Sequence, residues 1–172
     1  MAGGVRDGRG QGEMNMDENK APRTREYFAE LYVAGLLADA GWTIYFTSRD
    51  KGFDFIISKV VQKRTIIRPV QVTGLYPTDT KKDRQVYGVN RTLTQFHENM
   101  VLIIPIFIPK IYAAPKHVAY ITAESGKIVK NSKNKYRVFP AKIKNGIISP
   151  RRDFQQYYDR CGLVGLESNS SD

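Results

Sequence analysis

The sequence has one cysteine, one tryptophan and two histidines among its 172 residues. A single thiol excludes a disulfide framework and any zinc module built on paired cysteines. His97 and His117 leave little for a histidine-based metal site. The longest apolar run, residues 100–109, is too short to span a bilayer. No apolar stretch follows the first charges, so no signal peptide is visible. The expectation is an intracellular, soluble protein that makes no membrane contact. A Walker A sequence is absent. Gly3, Gly4, Gly8, Gly10 and Gly12 follow no strand, so they make no nucleotide-binding loop. No internal repeat is visible either.

Positive charge is in excess. The chain carries 27 Lys and Arg against 17 Asp and Glu, a net charge of +10. The first 22 residues are net −1, and residues 167–172 hold two acids and no base. Residues 110–152 concentrate eleven basic groups around one acid, Glu124. Such a concentration suits a polyanion, and nucleic acid is the commonest intracellular one. A merely solvated surface is the plain alternative. With 41% hydrophobic and 26% charged residues, the composition is that of a globular protein. Residues 1–22 are glycine-rich and read as a disordered tail, residues 23–166 as one folded domain, and 167–172 as a second, acidic tail.

Residues 24–40 predict a helix. Thr24 is placed to cap it, Glu26 lies in its first turn, and Gly41 stops it. Tyr27, Phe28, Leu31, Val33, Ala34, Leu37 and Ala40 form its apolar face. Residues 42–47 and 53–58 are rich in β-branched and aromatic side chains and predict a hairpin. Residues 66–73 predict a third strand, with an edge or bulge near Pro69. A polar, turn-rich stretch covers 74–89, a short helix 90–98 and a buried strand 100–108. Further strands are expected at 118–122 and 136–140, and a closing helix at 150–161. The basic stretch 127–144 reads as a hairpin arm with an Asn/Ser turn. The class is α/β, with a mixed sheet flanked by helices and a basic, strand-rich C-terminal part.

Three polar residues stand out against these elements. Glu30 sits mid-helix beside the apolar stripe, Asp54 lies between Phe53 and Phe55, and Gln71 lies between Val70 and Val72. A carboxylate in an apolar strand is costly unless it is paired or bound to a cation. Gln71 and Thr73, two apart, face the same side of their strand. If the two strands are neighbours, Asp54 and Gln71 can converge, and a helix packed on the sheet can bring Glu30 alongside. Oxygen ligands of this kind suit Mg²⁺. Each residue also has an ordinary use. Asp54 can cap a backbone amide or pair with Lys51, Gln71 can be a plain sheet residue, and Glu30 can be an exposed helix residue.

Taken in order, Glu30, Gly41-Trp42, Gly52-Phe53-Asp54 and Pro69-Val70-Gln71-Val72-Thr73 resemble the PD-(D/E)XK nuclease superfamily, the restriction-endonuclease-like fold. Archaeal Holliday-junction resolvases share the order. The resemblance covers residues 24–108. It implies a Mg²⁺- or Mn²⁺-dependent nuclease acting on nucleic acid, with DNA the expected substrate, and it leaves room for a homodimer. It implies that Asp54 is the principal metal carboxylate. Gln71 stands at the Asp/Glu position of the second motif, the Val72 carbonyl is a further ligand, and Glu30 orients a metal-bound water. The sequence departs at Thr73, where the family places a catalytic lysine. Lys51, Lys63, Lys81 and Lys82 are the nearest replacements in sequence. A weak or specialised nuclease, or a catalytically inactive module that keeps nucleic-acid binding, are the alternatives.

For binding, the sequence offers Lys81, Lys82 and Arg84 after the third strand. It also offers Lys130, Lys133, Lys135 and Arg137 on the basic arm, which can track a phosphate backbone. Tyr112, Tyr120 and Tyr136 interleave with lysines and can stack on bases, although core packing is the commoner use. His97 reads as a surface residue and Cys161 as a small packing residue.

Overall fold

A computed structural model describes residues 23–48, 52–77, 80–92, 96–108, 111–133 and 135–168. The chain starts with α1 (Arg23–Asp39), followed by β1 (Thr43–Phe46), β2 (Phe55–Val61) and β3 (Arg64–Val72). Next come β4 (Arg84–Thr92), β5 (Val101–Ile108) and β6 (Ile111–Thr122). The remainder is β7 (Val129–Lys130), β8 (Lys135–Lys144), β9 (Ile147–Pro150), a 3-10 turn at Arg152–Tyr157 and α2 (Asp159–Gly165).

The architecture is α/β. A five-stranded mixed sheet runs β1-β2-β3-β5-β6, and a four-stranded antiparallel sheet is built on β8, with β4 on one side and β7 and β9 on the other. In the first sheet only β3 and β5 are parallel, with Val70 opposite Val101. A parallel pair needs a crossover. Here the described residues of that crossover include β4, a strand of the second sheet, which takes residues 90–92 out of the helix expected over 90–98. Residues 90–92 lie in β4, residues 93–95 are outside the described set, and 96–100 are a turn. Pairing decides this outcome: Val89, Asn90, Arg91 and Thr92 oppose Val138, Arg137, Tyr136 and Lys135.

The two faces of the larger sheet bury two cores. On one face α1 lays Ala29, Val33, Ala34 and Leu37 over Phe55, Ile57, Val70, Val72, Val101 and Ile103. On the other, Leu102, Ile104, Ile106, Ala119 and Ile121 meet Val89, Val138, Ala141 and Ile143 of the second sheet. Buried on both faces, β5 is apolar at almost every position. The apolar stripe of α1 is phased differently from the expectation. Tyr27, Phe28 and Leu31 are exposed, because Ala29 centres the buried face.

The end of α1 follows the sequence signal. Gly41 N–H donates to Ala38 O and Trp42 N–H to Leu37 O, with Gly41 at φ +85°. This is a Schellman stop, which glycine adopts without a Cβ penalty. Pro69 opposes Ile56 of β2, and the parallel pairing to β5 begins only at Val70, so its missing N–H costs no bond of that ladder.

The closing segment differs from a single helix over 150–161. Tyr158 is extended and bridges Ala119, and Asp159 takes φ 50°, so α2 starts only there. Gly162 is therefore inside α2, its backbone against Tyr157. Cys161 is exposed and not a packing residue.

The fold also reaches past residue 166. Arg68 is 2% exposed, a charge in the core. Its guanidinium donates to Leu166 O at 3.0 Å, Ser168 O at 3.0 Å and Asn99 O at 3.3 Å, and it pairs with Glu124 Oε1 at 2.8 Å. Such a charge is stable only because its donors are taken up this way. Glu167 pairs with Lys59, whose ammonium also caps Ala40 O at the end of α1. Glu167 and Ser168 thus belong to the folded unit. Residues 1–22 and 169–172 lie outside the described residues.

Candidate active site

The site is built where the start of β2, the end of β3 and the first turns of α1 meet. Glu26 and Glu30 are one helical turn apart and therefore share a face of α1, where like charges repel. Both are half-buried. Asp54 precedes β2. Its N–H donates to Val70 O at 2.9 Å, although the register sets Phe55 opposite Val70. Two residues facing one is the signature of a β-bulge, a device that re-aims a side chain. The re-aimed Asp54 Oδ2 accepts the Val72 N–H at 2.6 Å. Asp54 thus caps a backbone amide, the ordinary use its sequence position allowed. Nearby, Thr47 Oγ1 donates to Phe53 O at 2.8 Å and ties the end of β1 to the same loop.

The acids stress one another. The Glu30 carboxyl is pushed up to about 7, first by burial and then by the charges of Asp54 and Glu26. Burial also pushes Asp54 up to about 6, against the opposing pull of the Val72 hydrogen bond and with a further push from Glu26. Glu26, which the sequence singled out only as a helix-start residue, is therefore the third acid of the group. Its signal was the four-residue spacing from Glu30.

Gln71 opposes Leu102 of the inter-sheet core, so it stands on the face of β3 away from α1. Its Oε1 is buried and accepts no hydrogen bond. Thr73 is 4% exposed, and its N–H donates to Ile103 O at 3.0 Å. The structure therefore brings Glu30, Asp54 and Val72 to one place, sets Gln71 on the opposite face of the same strand and leaves Thr73 enclosed. Oxygen donors dominate the α1 face at this end of the sheet, two carboxylates and the Val72 main chain, while the orphaned Gln71 amide oxygen lies on the other face. That donor chemistry suits a hard divalent cation. No group of three or more His, Cys, Asp or Glu side chains among the described residues is arranged to hold a metal ion.

The expected lysine replacements are placed elsewhere or not described. Lys51 lies outside the described residues. Lys63 is in the β2–β3 turn, at the far end of β2 from Asp54. Lys81 and Lys82 are exposed in the turn before β4, next to the β8–β9 turn, where Asp83 Oδ1 accepts the Asn145 N–H. Arg84 opens β4 with its guanidinium 6.0 Å from the Tyr87 ring centre. Lys130, Lys133, Lys135 and Arg137 are all exposed. They lie on the hairpin expected from the sequence: Asn131 Oδ1 accepts the N–H of Lys133 at 2.9 Å and of Lys135 at 3.0 Å, closing the turn. Tyr120 and Tyr136 are core residues. The side chain of Tyr112 is outside the described set. His97 is exposed in the turn before β5, its Nδ1 accepting the Asn99 N–H.

No family model, no curated protein and no solved structure matches the chain. Among the described residues, no helix is long and apolar enough to cross a membrane.

Proposed function

We propose that the protein is a metal-dependent phosphodiesterase of nuclease type, acting on nucleic acid and most simply on DNA, with an altered active site. The observation that carries this reading is the juxtaposition of Asp54 and Glu30 at a bulged strand end. Two half-buried carboxylates that disfavour each other's charge are relieved by a cation. In this reading Asp54 and Glu30 would be the acidic ligands of Mg²⁺ or Mn²⁺ and the Val72 carbonyl the neutral one, while Gln71, on the other face of β3, stays outside the set. A bound cation of this kind supplies an acidified water and stabilises charge on a phosphate. Asp54 keeps Oδ1 for that role while the Val72 N–H holds Oδ2, which fixes the carboxylate in place.

The basic hairpin carries the sequence-independent part of substrate binding. Its exposed cations are spaced along a strand, as backbone phosphates are along a nucleic acid. A second reading is favoured by one observation. Thr73, buried and uncharged, stands where the resemblance places a catalytic lysine, which fits a domain that binds nucleic acid and does not cut it.

Cleavage of labelled single-stranded, duplex and branched DNA with Mg²⁺ or Mn²⁺ separates the two. Cutting by the wild type that disappears in Asp54→Ala supports the enzyme. Salt-sensitive binding without cutting in either metal selects the binding module.

A further inference from the structure

The turn end of the basic hairpin carries an aromatic pair that neither core absorbs. Phe96 lies between β4 and β5 and is 49% exposed. Its ring is parallel to that of Tyr136, with 5.5 Å between centres and 7° between planes. Tyr136 is buried, yet it belongs to neither hydrophobic cluster. Phe96 therefore covers one face of Tyr136 and leaves its own second face to water. Lys130 stands opposite Tyr136 in the β7–β8 register, so both point to the same side of the hairpin. The Lys130 ammonium is 6.0 Å from the centre of the Tyr136 ring. Lys133 follows in the turn, and Lys135 and Arg137 flank Tyr136 along β8 on the outer side. Among the described residues, no carboxylate pairs with any of these four cations.

We infer that the outer face of Phe96 is a stacking platform for an unpaired base of a single-stranded nucleic acid, with Lys130 holding the adjoining phosphate. The inference rests on the nucleic-acid reading of the basic hairpin and is independent of whether the acids cleave. Every base has a π-face, so stacking on an aromatic ring adds affinity without reading sequence. Bases in a duplex already stack on one another, so the platform selects unpaired ones. Tyr136 beneath the ring holds it in place, so little side-chain freedom is lost on binding. Charge argues for this occupant over an apolar protein segment. An apolar segment gains nothing from four unpaired cations around its seat. A nucleotide uses both parts of the site, the ring through its base and the ammonium through its phosphate.

The test uses the full chain and three variants, Phe96→Leu, Phe96→Trp and Lys130→Gln. Thermal unfolding first establishes that each is folded. Two labelled probes of equal length and charge, oligo-dT and an abasic deoxyribose-phosphate oligomer, are compared by anisotropy across a salt series without divalent metal. The wild type is expected to bind oligo-dT about tenfold tighter than the abasic oligomer, the scale of one stacked base. Phe96→Leu keeps an apolar cover on Tyr136 without a π-face, and is expected to lose that preference and keep the salt slope. Lys130→Gln is expected to keep the preference and lower the slope for both probes by about 0.7 unit, the mark of one phosphate on a single strand. Phe96→Trp is expected to keep the preference, with its added emission quenched by oligo-dT and not by the abasic oligomer. The one native tryptophan, Trp42, is buried and supplies a constant background. A wild type that binds both probes equally, or a folded Phe96→Leu protein that keeps the preference, overturns the platform and leaves the polyanion reading of the hairpin standing. Unquenched Phe96→Trp at saturating oligo-dT overturns it even where Phe96→Leu does not fold. A wild type that binds neither probe overturns both readings.

Discussion

Asp54 Oδ2 accepts the Val72 N–H at 2.6 Å, so a side chain takes the place of a main-chain acceptor where β2 gives out. The bulge at Asp54 is what aims it there. The same relationship ties the acid group to the fold, because one oxygen of Asp54 is held by the main chain of β3.

That arrangement has a pH signature. Glu30 and Asp54 have folded-state values of about 7 and about 6, both above the ordinary carboxylate range. The folded protein therefore holds protons that the unfolded chain has released. Stability from these groups is full below their unfolded values, declines as pH rises from about 4 and is lost by about pH 7 to 8. Glu30→Gln removes the strain without removing the shape. Its melting temperature is expected to exceed the wild-type value by a few degrees, roughly 2–4 °C, at pH 8 and to match it at pH 4. Partial solvent screening of Glu30 keeps the gain small. A variant less stable than wild type at pH 8 contradicts the repulsion.

A divalent cation should reverse the same strain. With Mg²⁺ or Mn²⁺ at a hundredfold excess over its dissociation constant, binding to the folded state alone adds about 2.7 kcal/mol. Thermal unfolding at pH 8 is expected to show that rise in the wild type and to lose it in Asp54→Ala. A rise that persists in Asp54→Ala places the cation elsewhere.

Arg68 and Glu124 give a prediction about the fold itself. Arg68→Met leaves a buried carbonyl set at Leu166, Ser168 and Asn99 and strands Glu124. The expected cost is about 3–5 kcal/mol, read from denaturant unfolding, as for other broken buried ion pairs. Glu124→Gln keeps a hydrogen-bond acceptor on a more exposed partner and costs less, about 1 kcal/mol.

How much of this was legible in the sequence depends on the range of the forces involved. The stop of α1 at Gly41, the β1–β2 hairpin and the doubly buried β5 follow from local signals: a left-handed glycine, β-branched runs and uninterrupted apolar residues. The prominence of Glu30 and Asp54 was legible because charge in an apolar setting is conspicuous. The strand at 84–92 was not. Its identity is set by pairing with residues about fifty positions later, and Asn, Arg and Thr carry little strand signal alone. Arg68 looked like an ordinary strand residue, because its acceptors come from three distant segments. The Phe96–Tyr136 stack likewise joins two distant segments, with no motif to mark it.

Gly88 tests the strand assignment that the sequence hid. The β4–β8 register slips between Tyr87 and Val89, and at that slip a Cβ on Gly88 would lie 2.1 Å from Val138 O and 2.6 Å from the Phe139 Cα. Both are backbone atoms and have nowhere to go. Gly88→Ala is therefore expected to cost about 2–4 kcal/mol of stability, the scale of overpacking at a fixed backbone. A helix over residues 90–98 would put no such demand on Gly88, so a neutral substitution counts against β4.

The exposed cations of the β7–β8 hairpin give the last prediction. Lys135 and Arg137 alternate with buried Tyr136 and Val138, so both stand on the outer side of the second sheet. Lys133 lies in the turn that Asn131 closes, and Lys130 is on the short partner strand. None of the four is buried, so neutralising them should leave the fold intact. Replacing all four by Ala or Gln is expected to lower the salt slope of DNA binding by about three to four units if each meets one phosphate. Melting temperature should shift by no more than about 2 °C, because exposed charges contribute little to stability. Because such contacts position a backbone without reading bases, the loss should be equal across DNA sequences. A slope unchanged by the fourfold variant assigns the polyanion to another face. A loss confined to particular sequences means that the hairpin reads bases.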